Sequence, residues 1–200
     1  MTGELVPLWL KLGYAVFLAV MVPVYTRKAA AGAWNFLWFS DIALFGTAAA
    51  LWLESSLLAS MMGVAVLLPE LVWNLSFVSR LLFGRGVTGI ADYMFDPREH
   101  WYMRALSLFH VHMPIVLLWL IWRLGYDDRA LPAQTLVAWM VVPLTYALTE
   151  PRFNINRAFG PGTQPQRRLP PLLYLVLLLL MGPLIIYVPT HLILRAGFGG

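Results

Sequence analysis

Cysteine is absent from this 200-residue chain, and charge is scarce: Asp, Glu, Lys and Arg together make up 12% of it. The first absence excludes disulfides, thiolate nucleophiles and cysteine-ligated metals. The second falls far below the quarter charged that soluble domains carry. What fills the space is apolar. Hydrophobic residues are 60% of the chain, and the mean hydropathy of +0.71 leaves no room for a separate soluble domain. A single all-α integral membrane domain over residues 1–200 follows. Nine Trp, eight Tyr and eleven Phe suit aromatic belts at two membrane interfaces. Glu4, Lys11, Arg27 and Lys28 sit where a secretory leader would be basic, then apolar, then small, so a signal peptide is not expected. There is no internal repeat and no low-complexity tract.

A bilayer core asks for about 20 apolar residues per helix. Six segments meet that length: about Val6 to Tyr25, Trp34 to Leu53, Ser56 to Phe77, Tyr102 to Ile121, Leu131 to Thr149, and Leu172 to Leu194. The loops after the first, third and fifth hold Arg27, Lys28, Arg80, Arg85, Arg98, Arg104, Arg152, Arg157, Arg167 and Arg168. The opposite side holds Arg123, Arg129 and Arg195, with Lys11 inside the first segment. The bias predicts a multi-pass membrane protein with its basic loops in the cytoplasm and both termini outside. The net charge of +4 then belongs to topology and anionic lipid; nucleic acid is not expected as a partner.

That topology puts scarce polar groups at one depth. Ser40 and Asp41 in "FLWFSDIALF" fall about 10 Å into the second segment, at 1.5 Å per residue. Glu70 and Asn74 in "LLPELVWNLSF" lie at a similar depth near the end of the third, spaced i,i+4 on one face. His110 lies near the start of the fourth, with Ser107 on its face, and Thr145, Thr149 and Glu150 end the fifth. An ionisable group inside a membrane costs roughly 3 kcal/mol or more and marks function by default. The plainer account of Asp41 and Glu70 is a helix–helix hydrogen bond. For Ser40, Ser107, Thr145 and Thr149 it is close helix packing.

"SLFHVHMPIVLLWLIW" carries two histidines. Positions 110 and 112 point to nearly opposite faces, so one compact site takes only one of them. Pro114 has no N–H and leaves the His110 carbonyl without its helical donor. His110 is therefore the site candidate, and His112 is expected to hydrogen-bond a neighbouring helix. His191 reads as interfacial. Asp92, Asp96 and His100 follow at four-residue steps that could hold a divalent ion, but Pro97 interrupts a helix through them. A solvated, ion-paired loop is the expectation, with no metal. "PRFNINRAFGPG" brings Arg152, Asn154, Asn156 and Arg157 to the level of lipid phosphates, either to bind a headgroup or to anchor the loop.

The Phe-rich entry to the second segment with its hydroxyl residue, "WFSD", and the histidine before a proline in "LFHVHMP" resemble a eukaryotic membrane family: the androgen-induced and androgen-dependent multi-helix hydrolases of fatty-acid esters of hydroxy fatty acids. An acyl-transferring transmembrane protein and bacterial integral membrane proteins are distantly similar to it. The resemblance spans segments two to four. It implies a nucleophile at Ser40 and a histidine base at His110. Serine departs from the threonine of that family and the cysteine of its acyltransferase relative. The chain also resembles a bacterial family of small integral membrane-associated proteins, which implies no activity.

The expectation is an intramembrane lipid-ester hydrolase or acyltransferase without a cofactor. His110 would activate Ser40, Asp41 or Glu70 would orient the imidazole, and Asn74 would donate to an oxyanion. Ser107, Thr149, Glu150, Arg152, Asn154, Asn156 and Arg157 would line a site for membrane lipid. A proton-coupled transporter using Asp41, Glu70 and His110 is the alternative, as is a non-catalytic subunit of a membrane complex. A homo-oligomer is also open.

Overall fold

The computed structural model describes residues 5–162 and 164–199. All the regular structure among them is helical: α1 (Leu8–Lys28), α2 (Phe39–Leu53), α3 (Ser56–Phe83), α4 (Trp101–Ser107), α5 (Phe109–Leu124), α6 (Ala130–Leu148), α7 (Pro171–Gly182) and α8 (Val188–Phe198). Three 3₁₀ segments, Gly32–Leu37, Gly89–Phe95 and Ile155–Arg157, sit in the loops, and a π-helical turn, Pro183–Tyr187, joins α7 to α8.

Five stretches are long and apolar enough to cross a membrane: α1, α3, α4 with α5, α6, and α7 through α8. α2 is apolar but has only 15 residues, about 22 Å at 1.5 Å per residue, short of a hydrocarbon core about 30 Å thick. Large apolar side chains such as Trp9, Val16, Leu82, Ile115, Trp122, Met140 and Ile193 are exposed on the outside of the bundle, as a lipid-facing surface requires.

α3 is the hub. It packs on α2, α5 and α6, and its first half also meets α8. Gly63 marks a close approach of α3 to α5, since a Cβ there would come within 2.7 Å of Ile121 Cδ1. Small residues at such crossings let transmembrane backbones draw together. Around it Leu44, Leu51, Phe109, Met113, Leu117, Leu120 and Ile121 are wholly buried.

The segment ends depart from the sequence expectation for identifiable reasons. The second helix begins at Phe39, not near Trp34, because Asn156 takes the backbone groups a continuous helix would pair. Its Oδ1 accepts from Phe39 N at 2.9 Å, and its Nδ2 donates to Leu37 O at 2.6 Å. The third runs on to Phe83, where Gly84 closes it at φ +71°. The fourth breaks at Leu108. Ser107 Oγ bonds back to Met103 O at 3.0 Å, a pattern that bends helices, and Leu108 N turns to Ala105 O. The sixth opens into the π-helical turn at Gly182-Pro183. Pro183 leaves the Leu179 carbonyl without a helical donor, and Trp139 Nε1 donates to it at 3.0 Å from α6.

On the face away from the basic loops, Glu54 caps α2 in a left-handed conformation, φ 48°. Its carboxylate accepts from Leu5 N, Val6 N and Lys11 Nζ at 3.0 to 3.2 Å, tying the start of α1 to the end of α2. The Lys11 hydrogen bond, then the backbone amides, hold the Glu54 carboxyl below its ordinary range. A carboxyl lowered on folding stabilises the fold above its unfolded pKa, about 4.3, and loses that contribution as pH falls through the folded value. Thermal unfolding in detergent should therefore drop on acidification below about pH 4 more steeply in the native protein than in Glu54→Gln. Parallel curves would remove the tie from the account.

Candidate functional site

A cavity of about 780 Å³ opens among the ends of the helices that carry the basic loops. It lies within the 300–1,000 Å³ usual for small-molecule sites. Lys28, Asn35, Glu99, Asn154 and Arg157 line it on the loop side, and Val142, Leu178, Leu179 and Ile186 on the apolar side. Ser40, Asp41, Glu70, Ser107 and His110, brought from α2, α3, α4 and α5, stand on the walls between.

A contact between two ionisable side chains there joins α3 to α5. His110 Nδ1 lies 2.8 and 2.9 Å from the two carboxylate oxygens of Glu70. Glu70 is 2% exposed. The imidazole stacks on Trp73, with ring centroids 4.7 Å apart and planes at 22°. An ionised Glu70 makes Nδ1 the donor and leaves the Nε2 lone pair outward, which is how a carboxylate fixes the tautomer of a histidine base. Nε2 has no hydrogen-bond partner among the described residues.

Asn74 differs from its expected role. It is not on the cavity wall. Its Nδ2 donates to His110 O at 2.7 Å and to Glu70 O at 2.8 Å. A side-chain amide has two N–H donors, and here both are engaged, so none is left for an oxyanion. The first of those carbonyls is the one that Pro114 deprives of a helical donor.

Asp41 is also 2% exposed. Its Oδ2 accepts from Asn35 Nδ2 at 3.4 Å, and its Oδ1 has no partner among the described residues. Ser40 lines the cavity with no hydrogen bond to His110 among the described residues. Ser107 Oγ is 3.1 Å from the Tyr25 hydroxyl. Tyr93, in the loop before α4, lies beside Ser107 and Trp73, and burial pushes its phenol up to about 12. It is a neutral hydroxyl at any physiological pH.

The loop residues divide. Asn154 Nδ2 donates to Gly160 O and Gly162 O, both at 2.8 Å, while its Oδ1 accepts from Phe159 N. With Asn156 anchoring α2, the two asparagines shape the mouth of the cavity through backbone contacts. Both adopt positive φ, 41° and 52°, a conformation asparagine tolerates better than most residues. Arg157 lines the cavity and donates to Gly162 O at 2.7 Å. Thr149, Glu150 and Arg152 are not on its walls. Thr149 Oγ1 bonds back to Thr145 O, and Glu150 pairs with Arg152 in the open.

His112 does not make the expected interhelical hydrogen bond among the described residues. Its ring meets Tyr14 and Phe17 of α1 edge-on, at 5.7 and 5.3 Å. In the loop before α4, Asp92 pairs with Arg80 and Asp96 with Arg98. No group of three metal-ligating side chains forms among the described residues. Sequence reasoning passed over Tyr25, Trp73 and Tyr93, aromatic residues with no spacing signal, and the π-helical turn with Tyr187. The turn left one trace, Gly182-Pro183 inside the longest apolar run.

No family model, curated protein or solved structure matches the chain.

Proposed function

We propose that this protein is an intramembrane lipid-ester hydrolase or acyltransferase. The observation that carries the reading is the Glu70–His110 pair on the wall of a cavity that is apolar on one side and basic at its mouth. Nε2 of His110 takes the proton of a hydroxyl nucleophile, either Ser40 or water. The nucleophile's oxygen bonds to the ester carbonyl carbon. The proton then passes to the departing alkoxide as the acyl–oxygen bond breaks. Tyr93, a neutral hydroxyl on the same wall, serves the oxyanion in place of Asn74. Either second substrate, water or an alcohol, completes the same chemistry. The test is release or exchange of acyl groups from a panel of membrane lipids by the purified protein. Turnover of none of them would end the reading.

The proposed setting is the bacterial inner membrane, with six crossings, the basic loops in the cytoplasm and both termini outside. In its support, the cavity gathers the end of α1, the start of α2, the end of α3, the start of α4 and the loop after α6, as alternating helices would. The native chain has no thiol, so single cysteines report cleanly. Cysteines at positions 27 and 199 should be labelled from opposite sides of sealed vesicles. Labelling from one side would mean an odd number of crossings.

A proton-coupled transporter is the second reading. It draws on the other half of the bundle, where Gln134 is wholly buried and the Tyr126 hydroxyl lies 2.6 Å from His191 Nδ1. It needs a continuous file from Glu70. Among the described residues, no hydrogen bond joins Glu70 or His110 to that half.

A further inference from the structure

We propose that the substrate enters sideways from the bilayer through the seam between α1 and α4, and that its head is an anionic phosphate. The chemistry after entry rests on the lipid-ester reading; the route does not.

A second hollow lies on the other side of that seam. Ala19, Val20, Pro23 and Val24 of α1 give it an apolar floor, and Arg27, Lys28 and Tyr102 give it a polar edge. Lys28 also lines the main cavity, so the two hollows meet at that residue. Tyr25 and Ser107 face the main cavity, and their hydroxyls, 3.1 Å apart, make the one hydrogen bond between α1 and α4 among the described residues. α1 is held chiefly by α2 and by the 3₁₀ segment that follows α1 itself. Pro23 removes the helical donor for the Ala19 carbonyl, which weakens α1 just before the seam. One exchangeable hydrogen bond beside a weakened turn is a latch, and lids of this kind commonly set turnover.

The chemistry of the outer hollow selects the head. Arg27 offers a fork suited to phosphate, and Lys28 a point charge on a flexible stem. The plain account of this pair is positive-inside anchoring. It does not explain why one of the two lines both hollows. An apolar floor below two cations fits a phospholipid lying in its own leaflet, acyl chains along α1 and phosphate at its end. Passing Lys28, such a lipid would bring its esters toward Glu70 and His110.

The experiment uses the pair Tyr25→Cys and Ser107→Cys, bridged by a short bis-thiosulfonate reagent that dithiothreitol cleaves. The protein sits in nanodiscs of phosphatidylglycerol, and exchange of bound lipid for isotope-labelled phosphatidylglycerol is followed by native mass spectrometry. Bridging should slow exchange by about tenfold or more, within the one to three decades over which related association rates vary, and dithiothreitol should restore it. Equal exchange with and without the bridge would overturn the route. Tyr25→Phe, which needs no new thiol, should speed exchange, and an unchanged rate would count against the latch. Charge reversal at Arg27 and Lys28 should slow uptake of phosphatidylglycerol but not of diacylglycerol, which has the same acyl esters and no phosphate; equal slowing would overturn the anionic head. Acyl release is read in the same samples. A protein that exchanges lipid through the seam but cleaves no ester would end the lipid-ester reading and keep the portal. Cleavage undiminished by the bridge would do the reverse.

Discussion

Replacing His110 with alanine is expected to lower acyl turnover by about 10² to 10⁴-fold, the contribution of a positioned general base, while the bundle stays folded. Replacing His112 two residues on should leave turnover near native. The contrast follows from what each ring touches. His110 reaches Glu70 through Nδ1 and stands on the cavity wall. His112 lies against the edges of Tyr14 and Phe17, contacts worth about 0.5 to 1.5 kcal/mol each. His112→Ala should therefore lower the unfolding temperature and not the rate. Glu70→Gln sharpens the test. A glutamine amide can present its N–H to Nδ1, which reverses the tautomer and puts the proton on Nε2, where the base needs a lone pair. In a Ser-His-Asp triad the corresponding change costs about 10⁴-fold. Acyl release and thermal unfolding measured in the same detergent decide the matter. If activity falls in both histidine variants in proportion to lost stability, the pair is structural.

Depth counting from the helix ends was enough to bring Asp41, Glu70 and His110 to one cavity, because rise per residue is fixed and ionisable groups in a membrane have few places to go. The missing N–H of Pro114 also let the sequence point to the His110 carbonyl. It did not say what would satisfy that carbonyl. Asn74 shares the Glu70 face, so spacing alone made it a site residue; only the crossing of α3 and α5 shows both donors turned to backbone. The start of α2 was hidden for a different reason. It is set by Asn156, 117 residues further along the chain, and no local pattern reports such a contact. Thr149, Glu150 and Arg152 show the converse error. They neighbour Asn154 in sequence, but the chain turns between them, and Glu150 and Arg152 are left facing outward. Helix periodicity likewise cannot see Ser107 bonding back to Met103, so the break at Leu108 has no signature beyond a serine in an apolar run.

Asn74 should be the polar position near the site most costly to replace, and the cost of Asn74→Ala should depend on Pro114. Two carbonyls lose a donor, but not equally. Glu70 O keeps its helical partner, the backbone N–H of residue 74, because the proline inside α3, Pro69, affects the Ala65 carbonyl instead. His110 O has none to return to, since residue 114 is proline. Hydrogen bonds between membrane helices average about 0.6 kcal/mol and reach about 1.7, whereas a buried acceptor left unpaired costs about 1 to 3 kcal/mol. The second case applies here, so a loss of about 2 kcal/mol is expected. Asn74→Asp should be worse, because a carboxylate would place lone pairs against two carbonyl oxygens beside Glu70. A Pro114→Ala background supplies the test. It restores the N–H at position 114, so His110 O regains a helical donor and Asn74 becomes partly redundant. In a double-mutant cycle of unfolding free energies, Asn74→Ala should cost less in that background than in the native one, with a coupling of about 0.5 to 3 kcal/mol, as found for residues sharing a hydrogen-bond network. Equal cost in both backgrounds would mean that the Asn74 amide stabilises the helix pair by some route other than the carbonyl that Pro114 leaves open.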